Sequence, residues 1–138
     1  MDPAGVLYAV DPFEPGRLGF SLQRVIARRE IRRVRGGKVN WVRLSGARAA
    51  DQVLRDGPVD LIFIDGDHSY EGLRSDWEAW SAGTAPDALI ALHDSVSSSS
   101  RNIEDAGSVR YTRETIAKDP RFRRIRTVET LTFWSRSI

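Results

Sequence analysis

Both histidines of the chain lie next to aspartates and close to short apolar runs. His68 follows Asp65-Gly66-Asp67, and His93 precedes Asp94. Imidazole and carboxylate groups bind divalent cations, and imidazole also exchanges protons near neutral pH. These residue types therefore suggest a metal site, a general base or both, provided that the fold brings the two segments together.

The apolar runs before the two clusters predict how they meet. A continuous run such as Leu61 to Ile64 is typical of a strand buried on both faces of a parallel sheet. The carboxyl ends of parallel strands lie at one edge of the sheet, where ligands bind. We therefore expect both clusters to open on the same edge and to form one site.

Predicted strands alternate with predicted helices, which favours a single α/β domain over residues 1–138. We expect a Rossmann-like, mostly parallel sheet flanked by helices, with an antiparallel pair at the C-terminal end. The predicted strands are Val6–Val10, Val39–Leu44, Val59–Ile64, Ala88–Leu92, Ile125–Val128 and Leu131–Trp134. The predicted helices run from about Leu18 to Val34, Ala47 to Arg55, Tyr70 to Trp80 and Val109 to Lys118.

Composition excludes several kinds of site. The chain has no cysteine, so disulfides and thiolate metal ligands are absent and oxygen and imidazole are the strong ligands that remain. No apolar run reaches the roughly 20 residues of a membrane helix, and the N-terminus does not resemble a signal peptide. We expect a cytoplasmic protein without a membrane partner.

The net charge is only +2, but arginines crowd two segments. These could contact phosphate or RNA, or form a solvated helix face. Leu18, Leu22, Val25 and Ile26 follow helical spacing, which predicts that they face the interior and leave the arginines outward. No RNA- or DNA-binding motif accompanies the charge, so nucleic acid is not expected as a partner. The arginines are Arg24, Arg28, Arg29, Arg32, Arg33 and Arg35, and then Arg121, Arg123, Arg124 and Arg126.

Some residues near the clusters have a structural explanation as well. Asp67 or Ser69 could cap the following helix, whereas Asp65 directly follows the strand. The serine-rich stretch from Ser95 to Gly107 has no periodicity and is either a mobile lid over the His93 cluster or a plain connector.

The segment from Asp60 to Gly72, together with Trp77, Trp80 and the run Ala88 to Ser95, resembles the class I S-adenosylmethionine-dependent methyltransferases. The resemblance is to the group related to macrolide-sugar and cephalosporin-pathway O-methyltransferases. Val10-Asp11-Pro12-Phe13 is similar to the second strand of that family and its acidic end.

The resemblance implies a metal site and a base. Asp65, His93 and Asp94 occupy positions where relatives hold Mg²⁺, although histidine at position 93 departs from the acidic or amide ligands of those relatives. His68 occupies the place of a general base in some relatives. The implied reaction is metal-assisted O-methylation of a hydroxylated small molecule, such as a sugar or secondary metabolite.

The resemblance also implies a binding site for S-adenosylmethionine. Asp11 would bind the ribose hydroxyls, and Ser45-Gly46 would lie beside the adenine. Phe13 and Asp65 complete the implied cofactor-binding set. The acidic residue that many relatives carry near Ser45 is absent.

The family's first strand and its glycine-rich turn have no counterpart here. That strand lies centrally in the family's sheet, so the strands at Val6 and Val59 would border an empty position. Three explanations are open: the start is internal to a longer protein, the two strands pair directly, or a second copy completes the sheet as a homo-oligomer. Two alternatives to a methyltransferase therefore stay open: a non-catalytic scaffold and a metal-dependent phosphoester hydrolase.

Overall fold

A computed structural model describes residues 4–14, 21–33 and 35–137. Its helices and strands alternate, as predicted, until the C-terminal strand pair. In chain order they are β1 (Val6–Val10), α1 (Leu22–Ile31), β2 (Lys38–Val42), α2 (Gly46–Val53), β3 (Val59–Ile64), α3 (Tyr70–Ser81), β4 (Thr84–Leu92), α4 (Gly107–Glu114), β5 (Phe122–Val128) and β6 (Leu131–Arg136). Short 3₁₀ turns follow α2 and α4, at Leu54–Asp56 and Ile116–Lys118.

The chain divides into two compact units, Met1–Ala49 and Ala50–Ile138. In the first, β1 and β2 form a parallel pair. In the second, the strand order is β3-β4-β6-β5, with β3 and β4 parallel and the last two strands antiparallel. This confirms the predicted Rossmann-like α/β class with antiparallel C-terminal strands. Among the described residues, β1 pairs with β2 in the first unit, and β3 pairs with β4 in the second.

Helix α1 contradicts the predicted orientation of its apolar residues. Leu22, Val25 and Ile26 are 63%, 54% and 54% exposed, and the helix buries none of its residues. Instead the guanidinium of Arg28 lies 5.9 Å from the centre of the Trp41 ring. The described residues of its own unit do not bury this apolar stripe, so the prediction that it faces the interior is wrong. The predicted helix ends at Leu18 and Val34 lie outside the described residues.

The core of the second unit lies between its sheet and helices α3 and α4. Trp77 of α3 is 2% exposed, and its ring packs edge-on against Phe122 with 4.8 Å between centroids. Ile90 and Leu92 of β4 are fully buried. Burying each such aliphatic side chain stabilises the fold by about 1.5–3 kcal/mol. This packing fixes β4, the strand that carries the second cluster.

Strand β3 is buried on one face, not on both as its apolar run predicts. Ile62 and Ile64 are buried, whereas Leu61 and Phe63 are 65% and 58% exposed. β3 is the edge strand of its sheet, and the described residues of its own unit leave the face with Leu61 and Phe63 exposed. The prediction that a second copy completes the sheet at such an edge stays a prediction.

Strand β4 begins at Thr84, earlier than the predicted start at Ala88. The β3–β4 register passes from Val59↔Thr84 to Leu61↔Leu89, so extra residues of β4 bulge out of the ladder. The bulge accommodates Pro86, which cannot donate to a ladder. The two strands nevertheless end in register, with Ile64 opposite Leu92.

Among the described residues, no helix is both long enough and apolar enough to cross a bilayer.

Candidate metal and active site

The parallel pairing of β3 and β4 brings the two clusters together. Ile64 is the register partner of Leu92, so Asp65 and His93 leave neighbouring strands at the same edge. The backbone N–H of His93 donates to the carbonyl of Ile64 at 3.0 Å and extends the ladder by one bond. The prediction that these two clusters, distant in sequence, meet at one edge of the sheet is confirmed.

Three side chains meet at this edge. Asp65 Oδ1 lies 2.9 Å from His93 Nδ1 and 3.3 Å from His68 Nε2. One donor atom from each residue lies within 4.8 Å of the others. The side chains are 47%, 34% and 35% exposed, in the order Asp65, His93 and His68. A ligand can therefore reach the cluster from solvent.

One nitrogen of the cluster lacks a hydrogen bond. His93 Nδ1 is buried and has no hydrogen-bond partner in the described part of the chain, because its approach to Asp65 does not have hydrogen-bond geometry. Burying a polar atom without a hydrogen-bond partner costs free energy of folding. Where such an atom lies in a cluster of ligand residues, a bound ion would supply the partner. The donor set of two imidazoles and a carboxylate therefore fits a divalent cation.

Asp94 is held differently from the other three residues. Its carboxylate is only 2% exposed, and it lies at a φ of 48°, a left-handed conformation that aspartate tolerates. Thr130 donates its hydroxyl to Oδ1 at 2.8 Å, and the Arg101 guanidinium lies 2.8 Å from Oδ2. His68 Nδ1 lies 3.2 Å from the same Oδ2. Both oxygens of this carboxylate are therefore already engaged.

Hydrogen bonds at the N-termini of α3 and α4 hold the segment that carries His68. Ser69 caps α3 by accepting a hydrogen bond from the Gly72 N–H at 2.9 Å. Asp67 in turn accepts from the N–H and the hydroxyl of Ser69, and these bonds lower the pKa of Asp67. The capping interpretation of this segment is thus confirmed. At the start of α4, the Ser108 N–H donates to the His68 carbonyl at 2.9 Å.

The serine-rich loop is tied down by its own hydroxyl groups. Ser97 Oγ accepts from the Ile103 N–H, and Ser98 Oγ accepts from the Arg101 N–H. The Ser100 hydroxyl donates to Glu129 in the turn between β5 and β6. These bonds form the turn from which Arg101 reaches Asp94. The loop therefore contributes a residue to the site, beyond connecting β4 to α4.

Sequence reasoning missed Arg101 and Thr130. Thr130 lies in the β5–β6 turn, far along the chain from Asp94, and nothing in its local pattern distinguishes it. For Arg101 the only signal was that the serine-rich loop leaves directly from the His93-Asp94 cluster.

The residues predicted to bind the cofactor lie in the first unit, apart from Asp65. Asp11 follows β1 directly, and one of its carboxylate oxygens accepts the Phe13 N–H at 2.5 Å. Phe13 is 5% exposed and packs against Trp41 with 5.7 Å between ring centroids. Ser45 and Gly46 mark the start of α2, at the same carboxyl edge of the parallel β1–β2 pair as Asp11. Their contacts with a cofactor stay predictions.

A family model described as "Methyltransferase domain" matches residues 2–95 of the chain. The matched region extends from β1 through β4 and includes the strand-end residues of both units. No curated protein matches the chain.

Proposed function

The chain belongs to the methyltransferase-domain family, and from this premise we propose that it is a metal-assisted O-methyltransferase that acts on a hydroxylated small molecule. The family's chemistry is methyl transfer from S-adenosylmethionine. The observation that supports the finer proposal is the group of ligand atoms from Asp65, His68 and His93 at the ends of two parallel strands.

The cluster would hold a divalent cation beside the acceptor. The resemblance implies that Asp65 and His93 are ligands. The same two residues belong to the group whose ligand atoms lie within 4.8 Å of one another in the structure. When bound, the cation would act as a Lewis acid that makes the acceptor hydroxyl a better nucleophile. Mg²⁺ is the cation that the resemblance implies.

The protein's own groups would position the acceptor beside the cation. The partial exposure of Asp65 and His93 leaves room for a hydroxyl group at the open side of the cluster. Alignment of the acceptor oxygen with the methyl group and sulfur of the cofactor supplies most of the remaining rate enhancement. In the assignment implied by the resemblance, Asp94 is a cation ligand and His68 accepts the hydroxyl proton.

Calorimetric titration with S-adenosylmethionine, with and without Mg²⁺, tests the proposal. Asp11→Ala should weaken cofactor binding by about 10- to 100-fold, because it removes a charged hydrogen-bond acceptor for the ribose hydroxyls. Glu30→Ala is the control, since Glu30 forms only an exposed ion pair with Arg33 in the same unit.

Other outcomes would favour the alternatives. A folded wild-type protein that binds no S-adenosylmethionine at millimolar concentration would refute the proposal for this chain. Cation binding without cofactor binding would favour the metal-dependent phosphoester hydrolase. The absence of both would leave the non-catalytic scaffold. The acceptor itself and a cytoplasmic location stay predictions.

A further inference from the structure

We propose that the cation ligands are Asp65, His68 and His93, and that this set prefers a transition-metal dication such as Co²⁺, Fe²⁺ or Zn²⁺ over Mg²⁺. Asp94 then holds His68 in position and does not touch the ion. This inference deepens the proposed function by naming its metal, and it divides the roles differently from the resemblance, which places Asp94 among the ligands and His68 outside them.

The distances from Asp65 Oδ1 to the two imidazole donor atoms are those between ligands around one ion. Bonds of about 2.0–2.2 Å in tetrahedral or octahedral geometry place neighbouring ligand atoms about 2.9–3.5 Å apart. Asp65 Oδ1 lies 2.9 Å from His93 Nδ1 and 3.3 Å from His68 Nε2. The unpartnered Nδ1 of His93 is therefore explained by the same ion.

Asp94 has the position of a supporting carboxylate. A metal-bound histidine usually donates its other ring N–H to a carboxylate, which fixes the tautomer and the orientation of the ring. His68 has a carboxylate on this side of its ring, because its Nδ1 lies 3.2 Å from Asp94 Oδ2 while its Nε2 faces Asp65. For Asp94 to bind the ion instead, its buried carboxylate would have to give up contacts with Arg101 or Thr130.

The donor types select the metal. Mg²⁺ prefers an octahedron of oxygen ligands, whereas imidazole suits Fe²⁺, Co²⁺ and Zn²⁺. Two imidazoles and one carboxylate leave open positions on the ion, as in the sites of iron-dependent oxygenases. The positive charge of Arg101 offsets the negative charge of Asp94, and Asp65 is the carboxylate among the three proposed ligands.

The experiment uses the full chain freed of metal by a chelator. Calorimetric titration with Co²⁺ should give at least tenfold tighter binding than titration with Mg²⁺. The chain contains only two histidines, so ¹⁵N imidazole spectra report on the site alone, and Zn²⁺ should shift the signals of both rings. This wild-type measurement does not depend on any variant folding.

Three variants separate the roles. His68→Ala should lower the Co²⁺ affinity more than 100-fold, because it removes a ligand. Asp94→Asn should lower it only about 10- to 100-fold, the usual effect of removing an outer partner, and both rings should still shift with Zn²⁺. Asp87→Asn is the matched control and should change nothing, because Asp87 is an exposed aspartate of β4 whose φ of 60° resembles the 48° of Asp94.

Three results would overturn the proposal. The first is that Asp94→Asn abolishes Co²⁺ binding while His68→Ala retains it. The second is equal affinity for Mg²⁺ and Co²⁺, or no binding of either. The third is a Zn²⁺-induced shift of only one imidazole. None of these assays contains S-adenosylmethionine, so a failure of the proposed methyl transfer and a failure of this metal assignment are told apart.

Discussion

Two buried threonines provide a matched test of how strongly Asp94 is held. Thr130 is 6% exposed and donates its hydroxyl to Asp94 Oδ1 at 2.8 Å. Thr112 is 3% exposed, and its hydroxyl has no hydrogen-bond partner among the described residues. Valine is close to threonine in shape, so the substitution removes the hydroxyl and leaves the volume nearly unchanged.

The expected effects differ because only one hydroxyl is bonded to a charge. A hydrogen bond to a charged group contributes about 1.5–3 kcal/mol, so Thr130→Val should lower the free energy of unfolding by about 2 kcal/mol. Thr112→Val removes a buried polar atom that no bond compensates, so it should be neutral or stabilising by up to about 1 kcal/mol.

Urea unfolding followed by tryptophan fluorescence measures both effects. With a slope of about 2 kcal/mol per molar, Thr130→Val should lower the midpoint by about 1 M, while Thr112→Val should leave it unchanged or raise it. Equal losses in the two variants would refute the reasoning, because packing and not the bond to Asp94 would then explain the cost.

Two further predictions concern the stability of the second unit. At Gly107, a Cβ would lie 2.1 Å from the Tyr70 backbone nitrogen and 2.6 Å from the Ser69 carbonyl carbon, so Gly107→Ala should destabilise the protein by about 3 kcal/mol or more. A melting temperature within a degree of wild type would show that the starts of α3 and α4 separate freely. The second concerns pH, because hydrogen bonds from Arg121 lower the pKa of Asp119 below its usual 3.8. The ionised carboxylate therefore stabilises the fold fully above pH 3.8, and this stabilisation is lost as the pH falls through the lowered pKa of the folded state. The stability difference between wild type and Asp119→Asn, measured by urea unfolding at several pH values, should therefore shrink below pH 3.8, and a difference that stays constant to pH 2 would contradict the assignment.

The sequence predicts the meeting of the two clusters because strand direction alone determines it. An apolar run that ends in Asp65 and another that ends in His93 place both residues at one edge, whatever covers the faces of the sheet. The same runs do not reveal what lies on those faces. The exposed Leu61 and Phe63, and the exposed stripe that begins at Leu22, depend on tertiary neighbours that local periodicity does not record.

The sequence predicts less well which groups surround the cluster. Thr130 reaches Asp94 only because β6 pairs with β4, and a threonine in a hairpin turn has no local mark of that role. Arg101 lies in a stretch without periodicity, and its direction is set by hydroxyl bonds within the loop. Strand ends can therefore be located from sequence, whereas partners of a buried carboxylate depend on the register of distant strands.

The two strands that carry the cluster differ in their resistance to local opening, because β4 lies between β3 and β6 whereas β3 is at the edge. β4 is paired on both sides, and such strands open at free energies close to that of global unfolding, so His93 follows a well-protected strand. Asp65 is attached to β3, which is paired on one side and separates more easily. An ion bound by both residues would stabilise the pairing of β3 with β4. At a concentration 100 times its dissociation constant it would add about 2.7 kcal/mol against opening, and amide exchange in β3 should slow accordingly.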